Sequence, residues 1–179
     1  MMKVIETDME GLLVLEPKVH KDSRGYFYES FHQERMEQLG IKQQFIQDNQ
    51  SRSVFGVIRG LHYQKDPFAQ AKLVRVTEGN ILDVALDIRP GSPSYGKCFA
   101  IELSEENFLQ LMIPEGFAHG FSVLSEKATL QYKCSQYYHP EYEAGIRFDD
   151  PDLQIDWKVE PRKAIVSDKD RMLPYLKQI

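Results

Sequence analysis

Cysteine is almost missing from this chain of 179 residues: Cys98 and Cys134 are the only two. Two thiols cannot build a disulfide framework, and neither has a cysteine or histidine neighbour at zinc-finger spacing. They read as free thiols in a reducing compartment. No stretch approaches the roughly 20 consecutive apolar residues needed to cross a bilayer. Residues 1–10 carry acids where a secretory signal would be uninterrupted and apolar. A soluble, cytoplasmic protein is expected. Positive charge is not in excess either. The formal net charge is −5, which argues against nucleic acid or an anionic membrane as a main partner.

Several chemical signatures are missing as well. There is no Gly-x-Gly-x-x-Gly or Gly-x-x-x-x-Gly-Lys loop to cradle a phosphate at a helix start. No Gly-x-Ser-x-Gly elbow is present, and neither cysteine has an evident base beside it, which disfavours a covalent hydrolase. The five histidines, His20, His32, His62, His119 and His139, include no His-x-His pair. No metal site is expected from such spacing. Acid–base chemistry is what remains.

With 42% hydrophobic and 27% charged residues, the chain has the make-up of a globular protein that buries its own core. No linker, repeat or low-complexity tract divides it, so one domain over residues 1–179 is expected. Short runs rich in Val, Ile, Phe and Tyr, broken by Gly, Pro, Asn, Asp and Ser, are the pattern of an all-β sandwich or barrel. Residues 32–39 form the one convincing helical segment, ended by Gly40. Pro114-Glu115-Gly116 and the stretch 89–96 mark turns. Glu78-Gly79-Asn80 reads as a hairpin turn that pairs strand 71–77 with strand 81–89. In the second of these, Leu82, Val84, Leu86 and Ile88 share a core face, while Asp83, Asp87 and Arg89 take a wet one.

Three polar residues fall on apolar faces. Lys72 alternates with Val74 and Val76, Tyr132 with Ala128, Leu130 and Cys134, and His119 with Phe117, Phe121 and Val123. Each alone has an ordinary explanation: a lysine snorkels to the rim, a tyrosine bonds a carbonyl, a histidine is satisfied within the core. Several such groups converging in an apolar lining are what a ligand pocket looks like. Arg59 and His62 lie on opposite faces of a regular strand. Both line one pocket only if that strand ends or bulges near Gly60.

A set of blocks carries a clear likeness. They are Asp22-Ser23-Arg24-Gly25-Tyr26-Phe27 with Glu29, Gln47-Asp48-Asn49, Gly56-Val57-Ile58-Arg59-Gly60-Leu61-His62-Tyr63-Gln64, and Ala71-Lys72-Leu73-Val74. Then come Asp83-Val84-Ala85-Leu86-Asp87-Ile88-Arg89, Ile113-Pro114-Glu115-Gly116-Phe117-Ala118-His119-Gly120-Phe121, Tyr132-Lys133, and Ser167-Asp168-Lys169-Asp170. In this order, and over nearly the whole chain, they resemble the dTDP-4-dehydrorhamnose 3,5-epimerases.

The resemblance implies a cupin-like double-stranded β-helix, or jelly roll, with short peripheral helices and neither metal nor cofactor. It implies a dTDP-linked 4-keto-6-deoxy sugar as substrate, inverted at C3 and C5 through an enolate. His62 would be the base, Asp170 its carboxylate partner, Lys72 the stabiliser of enolate charge and Tyr132 the acid. Arg24 and Arg59 resemble phosphate-side arginines, whose planar forks suit phosphate oxygens. Phe27, Glu29, Gln47, Asn49, His119, Glu143 and Lys169 match further binding positions, and Tyr138 an aromatic stacked on thymine.

The family is dimeric, and a long N-terminal β segment that a closed small barrel does not need points to residues 24–29 building a partner's site. Two other readings differ in outcome or class. One is a single-centre epimerase or ketoisomerase on a related sugar, set apart by which carbons exchange with solvent. The other is a noncatalytic cupin-like binding protein, in which His62→Ala would change nothing.

Overall fold

The central strands 80–87 and 117–123 are covered on both faces, whereas strand 47–54 alternates exposed residues with partly buried ones. The computed structural model describes residues 2–179. Its N-terminal part holds β1 (Lys3–Glu6), β2 (Leu13–Glu16), β3 (His20–Asp22), β4 (Gly25–Phe27) and helix α1 (Gln33–Gln38). The body follows with β5 (Gln47–Val54), β6 (Ile58–Gln64), β7 (Lys72–Glu78), β8 (Asn80–Asp87), β9 (Cys98–Ser104), β10 (Gln110–Ile113), β11 (Phe117–Val123), β12 (Lys127–Cys134) and β13 (Glu143–Gly145). A short helix α2 (Asp168–Arg171) lies near the C-terminus.

The strands form a six-stranded sheet in the order β1-β2-β10-β7-β12-β5 and a five-stranded sheet in the order β13-β6-β11-β8-β9, with β3 and β4 as a separate hairpin. This is the expected cupin-like jelly roll. The expected helix is there as α1, closed by Gly40 at φ 87°. The single turn of α2 was not singled out from sequence.

The Glu78-Gly79-Asn80 hairpin is a correction. β7 pairs with β10 and β12, whereas β8 pairs with β11 and β9, so the two strands lie in different sheets. Gly79 turns the chain from one sheet to the other at φ 74°, where a Cβ would sit 2.0 Å from the Lys127 carbonyl oxygen. Turn chemistry marks where the chain reverses, but remote strands decide which sheet receives it.

Between the sheets lies the main core, with Val74, Val76, Ile81, Ala85, Leu111, Phe117, Phe121 and Leu130. A second cluster, including Leu82, Val84, Leu86, Ile146 and Trp157, covers the outer face of the five-stranded sheet. A third, including Met36 of α1 with Leu73 and Met112, covers part of the six-stranded sheet's outer face. Hence the expected wet face of strand 81–89 is wrong: Asp83 and Asp87 are both 0% exposed and turn inward with Ile81 and Ala85. Asp87 is held there by Arg89, Ser92 and Ser94.

Candidate active site

Besides the buried acids of β8, polar side chains gather inside the barrel where β5 and β7 begin and β6 and β12 end. There the six-stranded sheet contributes Lys72, Tyr132, Gln47 and Asn49, and the five-stranded sheet contributes His62 and Gln64. Tyr138 and Glu143 complete the wall of a cavity of about 300 Å³. Cross-strand register aligns these groups, with Tyr132 opposite Asn49 and Cys134 opposite Lys72. His62 therefore faces Lys72 and Tyr132 from the other sheet.

β6 presents His62 by way of an irregularity. Along the β6–β11 pair, His119 lies opposite His62 and Phe121 opposite Arg59, so Gly60 and Leu61 together face Gly120 alone. Such a bulge turns a strand locally and re-aims its side chains. Gly60 sits at φ 119°, and a Cβ there would come 2.6 Å from the Gly120 Cα. The condition set for Arg59 and His62 is thus met. Both border a second hollow of about 450 Å³ together with Lys169 and Asp170.

Asp170 is buried behind His62, with Oδ1 2.8 Å from His62 Nε2, and Oδ2 accepts from the Gly60 amide at 3.3 Å. Its own amide donates to Ser167 Oγ, the cap of α2. Burial opposes ionisation of this carboxyl, but the hydrogen bond and charge of His62 outweigh it and hold the group below the usual carboxylate range. A carboxylate in that position accepts a hydrogen bond from Nε2–H, which keeps the proton on that nitrogen and leaves Nδ1 with its lone pair.

Lys72 is pushed down by loss of hydration, an effect opposed by Cys134, Asp83 and Glu143. Tyr132 is pushed up, chiefly by burial, so the phenol keeps its proton. At the mouth, Glu143 accepts from Tyr138 Oη at 2.6 Å and from Lys169 Nζ at 2.7 Å. The Tyr138 amide donates to Gln47 Oε1, tying that rim to β5. Base, ammonium and phenol around one cavity can remove a proton beside a carbonyl, hold the enolate charge and return a proton.

His119 is 7% exposed and stands beside His62 rather than in the cavity wall, its Nε2 2.5 Å from Asp83 Oδ1. Arg24, Phe27 and Glu29 are not gathered into the site by their own chain. Arg24 pairs with Asp22, Glu29 with Arg35, and the Phe27 ring is 72% exposed. Among the described residues, no three His, Cys, Asp or Glu side chains converge to hold a metal ion, and no helix is long and apolar enough to cross a membrane. Tyr63, Gln64 and Gln70 line the cavity without having been expected as site residues from sequence, and behind the wall His119 pairs with an acid that was expected on a wet face, Asp83. The signal for Asp83 was an acid in the middle of an otherwise apolar strand.

A jelly roll that lines one cavity with a carboxylate-backed histidine, a lysine and a tyrosine defines a cupin-like isomerase. Residues 6–178 match the family model described as dTDP-4-dehydrorhamnose 3,5-epimerase. The dTDP-4-dehydrorhamnose 3,5-epimerase of Escherichia coli K12 is 52% identical over 173 residues, which cover 96% of this chain and 93% of that protein. The crystal structure of dTDP-6-deoxy-D-glucose-3,5-epimerase from Legionella pneumophila, in complex with dTDP-4-keto-L-rhamnose, aligns at a TM-score of 0.96 and 49% identity, covering 100% of this chain and 95% of that one. That of dTDP-4-dehydrorhamnose 3,5-epimerase from Elizabethkingia anophelis aligns at 0.95 and 48% identity, covering 99% and 97%. The chain belongs to the dTDP-4-dehydrorhamnose 3,5-epimerase family.

Proposed function

We propose that the chain, as a single cytoplasmic domain, converts dTDP-4-dehydro-6-deoxy-D-glucose to dTDP-4-dehydro-L-rhamnose by inverting C3 and C5. The ketone acidifies the protons on both neighbouring carbons because each carbanion is delocalised as an enolate. His62 removes these protons through Nδ1, with Asp170 fixing its tautomer and stabilising its cation. Lys72 holds the enolate oxygen, a contact of a kind worth about 3 kcal/mol in a water-poor cavity. Tyr132 returns a proton from the other side. The hydrogen leaves and returns as a proton while the ketone persists, and after each event the His62 imidazolium gives its proton to solvent and the Tyr132 phenolate takes one from it, so the reaction balances without a redox cofactor.

The observation that carries this reading is the placement of His62 on one sheet and of Lys72 and Tyr132 on the other, because inversion needs donor and acceptor on opposite faces of one carbon. Gln47, Asn49, Tyr138, Glu143 and Lys169 surround the remaining space and suit the sugar and thymidine. Arg59 serves the diphosphate, and His119 packs behind the sugar site. Arg24, Phe27 and Glu29 act on the site of a second copy in a homodimer. Support for this is their exposure, with Tyr26 at 57% and Phe27 at 72%, since neighbouring large rings left in water mark a contact surface.

Incubation with the 4-keto sugar nucleotide in deuterated water, followed by NMR, tests the function. Deuterium at both C3 and C5 is expected, with the L-sugar as product. Label at one carbon alone would make the chain a single-centre epimerase, and no label at all would end the catalytic reading.

A further inference from the structure

The Asp83 carboxylate is fully buried on the inner face of β8, and only one of its oxygens has a partner. Oδ1 lies 2.5 Å from His119 Nε2, while Oδ2 has no hydrogen-bond partner at all. Its neighbours on that face, Ile81 and Ala85, are apolar. A desolvated, unpaired oxygen is costly, and an apolar side chain would serve β8 better if packing were the whole purpose.

Asp87, two residues further on, provides an internal comparison. It is equally buried, yet its oxygens accept from the Arg89 guanidinium and amide and from the Ser92 and Ser94 hydroxyls. The fold can saturate a buried acid on this strand, and at Asp83 it does not.

We infer that Asp83 is a positioning residue for the reaction, anchoring His119 through one oxygen and setting a fixed negative charge before the Lys72 ammonium with the other. The inference rests on the proposed role of Lys72. That ammonium has no ion pair within 4 Å among the described residues. The titratable groups that share its cavity are Tyr132 on β12, His62 and Tyr63 on β6, Glu143 on β13 and Tyr138, with Cys134 opposite it on β12 and the acid Asp83 on β8. Loss of hydration pushes Lys72 toward neutrality, and the acids oppose it. Burial pushes the Cys134 thiol up, so it carries no charge near neutrality. Glu143 is already engaged by Lys169 and Tyr138. Asp83 remains as the uncommitted carboxylate that keeps Lys72 cationic for the enolate.

The test is Asp83→Asn, which keeps the shape and an acceptor for His119 and removes the charge. In enzyme whose wild type exchanges both carbons, kcat is expected to fall about 10- to 100-fold, a loss on the scale of one misplaced anion stabiliser. KM should stay near wild type, and the alkaline limb of kcat should move to lower pH because Lys72 loses the group that favours its charged form.

A stability cycle gives an answer that needs no substrate. With Lys72→Met in place the Asp83 charge has lost its counterion, so adding Asp83→Asn should raise the melting temperature above that of Lys72→Met alone. Wild-type kcat with an unmoved limb in Asp83→Asn would overturn the inference, as would a double variant no more stable than Lys72→Met. If Asp83→Asn does not fold by itself, the double variant decides. A wild type that exchanges no carbon sinks the proposed function and leaves the stability cycle readable.

Discussion

His62 and His119 stand directly opposite one another on β6 and β11, and each offers Nε2 to a buried carboxylate, Asp170 at 2.8 Å and Asp83 at 2.5 Å. The two dyads are not equivalent. The His62 side chain is 30% exposed and borders the cavity, whereas that of His119 is 7% exposed and lies behind it. Only His62 is free to meet a carbon acid. The two sheets thus carry different groups, with both histidines on one and the ammonium and phenol on the other.

Asp170→Asn tests the first dyad. An amide in place of the carboxylate offers an N–H toward His62 Nε2, so the ring shifts its proton to Nδ1 and loses its free base. Exchange at C3 and C5 is expected to fall by about 10²- to 10⁴-fold, with little change in KM. Exchange rates in deuterated water check this. An Asp170→Asn enzyme within a few-fold of wild type would remove the dyad from the mechanism.

Tyr132→Phe separates abstraction from delivery. His62 and Lys72 remain, so deuterium should still enter at carbon, while net inversion to the L-sugar should be lost. NMR of recovered substrate and product distinguishes the two events. If exchange stops together with inversion, Tyr132 is not the acid and serves binding or orientation instead.

The inward placement of Lys72, Tyr132 and His119 was readable because their strands alternate, and alternation needs only neighbouring residues. Asp83 was misread by the same count. It assumes one wet face, but Trp157, Ile146 and the C-terminal segment cover the outside of β8, so both of its faces are dry. Pairing was less readable than facing. Nothing in Glu78-Gly79-Asn80 distinguishes a hairpin from a change of sheet, since β10, β11 and β12 make that decision from 30 or more residues away. Arg24, Phe27 and Glu29 matched the family blocks, yet one chain gives them no site to act on.

Asp87 ties pH to stability. Burial raises its carboxyl, but hydrogen bonds from Arg89, Ser92 and Ser94 outweigh this and hold it far below the usual range. A carboxyl depressed in the folded state stabilises fully above its unfolded value of about 3.9, and this contribution fades as pH falls below that value toward the folded one. Asp87→Asn is expected to cost about 3 kcal/mol at pH 7, the range for breaking a buried ion pair. The gap to wild type should shrink at pH 3. Denaturant midpoints at both pH values read it, and a gap that does not change with pH would mean that the carboxylate charge contributes nothing.

The exposed arm leads to a prediction about two copies. If Arg24 acts across a dimer interface, an Arg24→Ala chain keeps an intact cavity but gives its partner a defective arm, and a His62→Ala chain does the reverse. Each variant alone forms dimers in which every site is damaged. Mixed dimers contain one site with two defects and one with none, because the intact cavity of the first chain receives the intact arm of the second. Mixing the chains under conditions that exchange subunits should therefore restore activity toward half of the wild-type value per heterodimer. If Arg24 served its own cavity, both sites of the heterodimer would remain damaged. Rates of the mixture no higher than the sum of the separate variants, with heterodimers verified by mass, would place the arm's function within its own chain.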